Sequence, residues 1–126
     1  MKVLVTGVAG FIGADLTSRL LAAGHQVVGV DNFNDYYTPE LKRDRIAKVI
    51  GKHPTHNFKL LEGDVHDRPL MKDMFAKESF DTVVHLAAQA GVRYSLENPD
   101  SYIDSNLVGF GAILEGCRHS GVKHLV

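Results

Sequence analysis

Three glycines at spacing three, Gly7, Gly10 and Gly13, stand between a short apolar run, Lys2 to Thr6, and a segment with helical periodicity. A tight glycine turn from a buried strand into a helix leaves the first helical N–H groups unpaired, with the positive end of the helix dipole behind them. Such a turn is an anion site. Gly7 permits the sharp turn, Gly10 lets an oxyanion approach the backbone, and Gly13 lets the helix pack closely. The first gap is one residue longer than in Gly-x-Gly-x-x-Gly.

The rest of the chain repeats the same alternation. Phe11, Ile12, Leu16, Leu20 and Leu21 give the first helix an apolar stripe, stopped at Gly24. Residues 26–30 read as a second strand. Thr38 is placed to cap a helix that begins at Pro39 and carries Leu41, Ile46, Val49 and Ile50. Residues 58–62 form a third strand, and Asp67 caps a third helix with Leu70, Met71, Met74 and Phe75. Residues 81–87 form a fourth strand. A long helix follows from Pro99 to Gly121, and residues 122–126 begin a fifth strand. Buried strands alternating with helices predict an α/β fold: a doubly wound parallel sheet of order 3-2-1-4-5.

With 126 residues the chain makes one domain at most, and 44% hydrophobic content supplies a real core. A net charge of −1 without a basic cluster excludes a general grip on nucleic acid or anionic membrane. Lys42-Arg43-Asp44-Arg45, mixed in sign, reads as a solvated helix face. One cysteine, Cys117, allows no internal disulfide and reads as a small core residue in a reducing compartment, so the expected location is the cytoplasm. Seven histidines include the pair His53 and His56 without a third ligand, so no metal site is expected. His85 reads as a satisfied core residue. No Gly-x-Ser-x-Gly and no Gly-x-x-x-x-Gly-Lys occurs.

In this fold ligands bind beyond the strand carboxyl ends. Asp31 ends the second strand, eighteen positions after Gly13, where a carboxylate meets the adenosine ribose of a dinucleotide. Its charge opposes a 2′-phosphate and no arginine follows at 32, which favours NAD over NADP. Asp64 with Val65 follows the third strand, and Leu86, Ala87, Ala88 and Gln89 follow the fourth.

Together TGVAGFIG, Asp31, GDV and HLAAQAGVRYS resemble the extended short-chain dehydrogenase/reductase family. The segments DNFNDYYTPELKRDRI and GVRYSLENPDSYIDSNLVGFGAILEGCRHSGVKHLV are similar to the UDP-glucuronate 4-epimerases within it. The resemblance implies a Rossmann-type NAD-binding domain, of which residues 1–126 are an N-terminal part without the substrate domain. It implies that Gly7, Gly10, Phe11, Ile12 and Gly13 line the pyrophosphate. Asp31 and Asn32 would hold the adenosine ribose, with Asn34 nearby, and Asp64 and Val65 would flank the adenine. Leu86, Ala87, Ala88 and Gln89 would run beside the nicotinamide half, and Ser105, with Asn106 adjacent, would contact the cofactor from the fourth helix. Arg93 would face a nucleotide sugar.

The family chemistry takes a hydride from sugar C4 and returns it to the other face. Its base is a tyrosine four residues before a lysine. Here Glu40, Leu41, Asn98 and Asn106 stand four residues after Tyr36, Tyr37, Tyr94 and Tyr102, so no catalytic residue is assigned. The expectation is an epimerase's cofactor-binding part, inactive as this chain and self-associating. The alternative is a non-catalytic dinucleotide-binding or self-associating module.

Overall fold

The computed structural model describes residues 1–126. Its centre is strand β1 (Lys2–Thr6), flanked in parallel by β2 (Gln26–Asp31) and β4 (Thr82–His85). β3 (Phe58–Glu62) adds to β2, and β5 (His124–Leu125) adds to β4. The order β3-β2-β1-β4-β5 is the one expected from the alternation. β1 is buried on both faces, which is why it reads as an unbroken apolar run. Val3 and Val5 enter one core with helices α1 (Phe11–Ala22) and α2 (Pro39–Lys52). Leu4 enters the other with α3 (Arg68–Lys77) and α6 (Gly109–Ser120).

The buried stripe of α1 differs from the expected one. Phe11 and Ile12 are 81% and 65% exposed, and the buried residues are Gly13, Ala14, Thr17 and Leu21. The small residues Gly13 and Ala14 bring the helix against the turn and the sheet, which leaves Phe11 and Ile12 outside. On α2, likewise, Leu41 and Ile50 stay exposed, and Lys42 joins Ile46 and Val49 on the buried face.

Thr17 is fully buried, and its hydroxyl has no hydrogen-bond partner. Thr17→Val removes an orphaned polar atom at nearly constant shape. It is expected to stabilise the chain by about 1 kcal/mol, read as an upward shift of the urea midpoint.

Thr38 precedes α2, but its hydroxyl caps nothing; its carbonyl accepts from Leu41 N at 3.1 Å. Asp67 does cap α3, accepting from Leu70 N at 3.0 Å. The fourth strand is shorter than expected: the Leu86 amide is shared between the Thr6 carbonyl at 3.2 Å and the Thr6 hydroxyl at 3.1 Å, and the Ala87 amide goes to the hydroxyl alone at 3.1 Å. The fifth is shortened to His124–Leu125.

The long helix expected from Pro99 is not uniform. A short α4 (Tyr94–Glu97) precedes it, α5 (Pro99–Tyr102) opens it, and residues Ile103–Val108 form a π-helical stretch leading into α6. Gly121, at φ +67°, closes α6 as expected. No helix is long and apolar enough to cross a membrane.

Candidate functional site

The loops after β1, β2, β3 and β4 converge on one crevice of about 400 Å³. The β1–α1 turn forms its floor. Gly7 sits at φ +68°, and a Cβ there would press within 2.9 Å of the Leu86–Ala87 peptide. Gly7 and Val8 amides both donate to Val30 O, and the Ala9 amide donates to Asp31 Oδ2 at 3.0 Å. The amides of Phe11 and Ile12, at the start of α1, find no protein acceptor. A Cβ on Gly10 would meet only the Gly7 carbonyl oxygen, at 3.1 Å, and Gly10 and Phe11 both line the crevice, so the crevice reaches the backbone at the start of α1. This is the geometry an oxyanion needs.

Thirteen of the fifteen residues assigned to the cofactor by resemblance line this crevice. Gly7, Gly10 and Phe11 are the floor; Asp31, Asn32 and Asn34 form one wall, with Asp64 and Val65 beside them. Leu86, Ala87, Ala88 and Gln89 form the opposite wall, and Ser105 faces it from the π-helical stretch. Ile12 and Gly13 do not line it. Ile12 projects outward, and Gly13 lies beneath the turn, where a Cβ would overlap the Gly7 carbonyl oxygen. Arg93 also lies outside it, exposed beyond the Gly91 turn.

Asp31 is more deeply set than a ribose ligand alone requires. It is 6% exposed, and its carboxylate accepts from Ala9 N, Phe33 N and Lys42 Nζ at 3.0, 3.0 and 3.1 Å. Its hold on Phe33 fixes that residue at φ +50°, a left-handed backbone that side chains rarely adopt. Lys42 is 8% exposed and lines the crevice, so this part of the mixed-charge run is not solvated. Its position in phase with Ile46 and Val49 was the available signal. Because Lys42 offsets the Asp31 charge, repulsion of a 2′-phosphate is weaker than Asp31 alone would make it. Arg45, which donates to Ala9 O at 3.3 Å, adds a second cation.

On the opposite wall the Thr6 hydroxyl is the hub. It accepts from the Leu86 and Ala87 amides, so its own proton goes to His85 Nδ1, 2.7 Å away. His85 is therefore neutral with its proton on Nε2, and its ring stacks on Phe110 at 5.7 Å. Burial holds its pKa below the ordinary 6.5. As pH falls through 6.5 the unfolded chain takes up this proton before the folded one does. Stability from this group is thus full above pH 6.5 and lost as pH falls below it. Urea midpoints measured from pH 8 downward are expected to drop across that window. His85→Gln is expected to flatten the drop.

The Asn106 amide grips the backbone of the buried Gln89. It accepts from Gln89 N at 2.8 Å and donates to Gln89 O at 3.1 Å. The π-helical stretch delivers this contact. All four tyrosines gather at the rim: Tyr36 against Tyr37 and Tyr94 at 4.9 and 5.2 Å, and Tyr94 against Tyr102 at 6.3 Å. The Tyr36 hydroxyl packs on Gly91, in the loop after β4. Tyr102 donates to Ala90 O at 3.1 Å. Desolvation, then Tyr36 and Tyr94, push its phenol above the ordinary value, the opposite of what a base at neutral pH requires.

Comparison with known proteins agrees with this geometry. A profile of the family described as GDP-mannose 4,6 dehydratase matches residues 4–126. The chain belongs to this family. It is 50% identical over its whole length to Protein CapI of Staphylococcus aureus, covering 36% of that protein. It is 49% identical over 118 residues to UDP-glucuronate 4-epimerase 4 of Arabidopsis thaliana, covering 94% of this chain and 26% of the relative. A crystal structure of a UDP-glucuronic acid 4-epimerase mutant from Bacillus cereus, in complex with UDP-4-deoxy-4-fluoro-glucuronic acid and NAD, superposes with a TM-score of 0.82 at 32% identity. The match covers 99% of this chain and 38% of that one. The chain thus spans well under half the length of these relatives, and the family resemblance seen in its motifs holds.

Proposed function

We propose that residues 1–126 are the NAD-binding part of a nucleotide-sugar epimerase of the UDP-glucuronate 4-epimerase kind. One observation carries this reading: the helix start at Phe11, whose amide has no protein acceptor, lines a crevice that also holds Asp31. The residues present fit the cofactor. The turn of residues 7–11 with the Phe11 amide would hold the diphosphate, Asp31 the adenosine ribose, and the Leu86–Gln89 wall with Ser105 the nicotinamide half. NAD, when bound, supplies the hydride acceptor and donor for sugar C4. NAD rather than NADP is supported by the NAD found in the Bacillus cereus epimerase. Arg93, exposed and without the carboxylate partner that Arg19, Arg43 and Arg118 each have, is the candidate contact to a nucleotide sugar.

The chain's own residues orient and enclose but move no proton from sugar, because no tyrosine here has a lysine four residues on. Calorimetric titration is expected to show NAD binding, while UDP-glucuronate is recovered without inversion. Absence of NAD binding would overturn the first half, and formation of UDP-galacturonate the second.

The chain is also proposed to self-associate. Ile103, Leu107, Phe110 and Leu114, at spacings of four, three and four, are 53%, 65%, 42% and 43% exposed along one helix face. Light scattering at micromolar concentration is expected to give a dimer or larger species, and Leu107→Lys to give the monomer.

A further inference from the structure

We infer that Lys42 reads the ribose of the dinucleotide jointly with Asp31; this rests on the NAD-binding reading above and extends it. A carboxylate offers about four acceptor positions, two on each oxygen. On Asp31, Oδ1 already takes the Phe33 amide and the Lys42 ammonium, and Oδ2 takes the Ala9 amide. One position remains, on Oδ2. Asp31 can therefore accept from one hydroxyl of a ribose, whereas the ribose presents two neighbouring hydroxyls.

Lys42 has the complementary vacancy. Of its three N–H groups, one reaches Asp31 Oδ1 at 3.1 Å and one reaches Asn34 Oδ1 at 3.3 Å. The third has no protein acceptor. The side chain is only 10% exposed, and the residue lines the crevice beside Asp31. A buried ammonium donor without a partner is costly, and the ribose brings oxygens to the same wall. One hydroxyl thus donates to Asp31 Oδ2, and the oxygen of the other accepts from Lys42. Asn34 keeps the ammonium turned toward the crevice. Lys42 is then a specificity-determining residue that recognises an intact vicinal diol.

The test is calorimetric titration of the 126-residue chain and of Lys42→Met with three probes. These are NAD and its analogues lacking either the 2′- or the 3′-hydroxyl of the adenosine ribose. For the parent, each analogue is expected to bind about 10-fold or more weakly than NAD, since each loses one contact to a charged group. Lys42→Met is expected to weaken NAD by about the same factor. The decisive comparison is between the variant and the analogues. One of the two is expected to bind Lys42→Met as well as NAD does, because the contact it deletes is already gone.

Should the methionine variant fail to fold by circular dichroism, Lys42→Gln carries the same comparison while keeping a donor toward Asp31. Independent, multiplying losses for both analogues would overturn the inference, as would unchanged NAD affinity in the variant. A parent chain that does not bind NAD would overturn this inference and the NAD-binding reading together. NAD binding without coupling to Lys42 overturns this one alone.

Discussion

Gly13→Ala is expected to destabilise the chain by about 3 kcal/mol or more and to abolish NAD binding with the fold. The new Cβ would overlap the Gly7 carbonyl oxygen and stand 2.9 Å from its carbon and 3.0 Å from Val8 Cα. All three neighbours are backbone in the glycine turn, so no side chain can swing aside. Alanine's better helix propensity returns at most about 1 kcal/mol, too little to offset the overlap. Gly111→Ala is the matched control. It makes the same change within α6, where a Cβ meets nothing within 4 Å. It is expected to raise stability by about 0.5–1 kcal/mol. Urea denaturation of both variants checks the pair. A Gly13→Ala protein as stable as the parent would mean that the turn is not the packed support for α1 described above.

Asp31→Ala is expected to cost about 3–5 kcal/mol, because it strands a buried cation. Lys42, 8% exposed, would be left with only Asn34 as partner, and the Ala9 and Phe33 amides would lose their acceptor. Both members of the pair are buried, so water screens little of this. The double variant Asp31→Ala/Lys42→Met removes the stranded charge and is expected to recover more than half of the loss. Double-mutant-cycle stabilities from urea curves provide the check. Additive losses would show that the two side chains do not act as a pair.

The alternation of elements was readable because the physics behind it is local. A strand buried on both faces is an apolar run, as in β1, and a cap such as Asp67 needs only the residues beside it. The glycine turn was legible for the same reason. What escaped reading depends on partners distant in sequence. Lys42 looked solvated among Arg43, Asp44 and Arg45, yet Asp31 eleven positions earlier draws it inside. Nothing in Asn32-Phe33-Asn34 signals a left-handed phenylalanine, since the Asp31 carboxylate imposes it.

The α1 stripe misled because Phe11 and Ile12 were counted as core by hydrophobicity, although Gly13 sets which face approaches the turn. The end of β4 was misplaced because the Thr6 side chain on β1, some eighty residues away in sequence, shares the Leu86 amide with its own carbonyl and takes the Ala87 amide outright. The π-helical stretch was invisible to a pattern that assumes one helical period throughout. Asn106 was placed beside the site, but its two-point grip on Gln89 belongs to tertiary contact alone.

The tyrosine rim carries a kinetic meaning. Tyr36 reaches from the loop after β2 to Gly91 in the loop after β4 and to Tyr94 at the start of α4, and β1 with its glycine turn lies between those strands. A nucleotide held on the turn, as proposed, would have this aromatic bridge along one side of its way out. Tightness of holding and speed of exchange would then be governed by separate groups, the first by the floor and the second by the bridge.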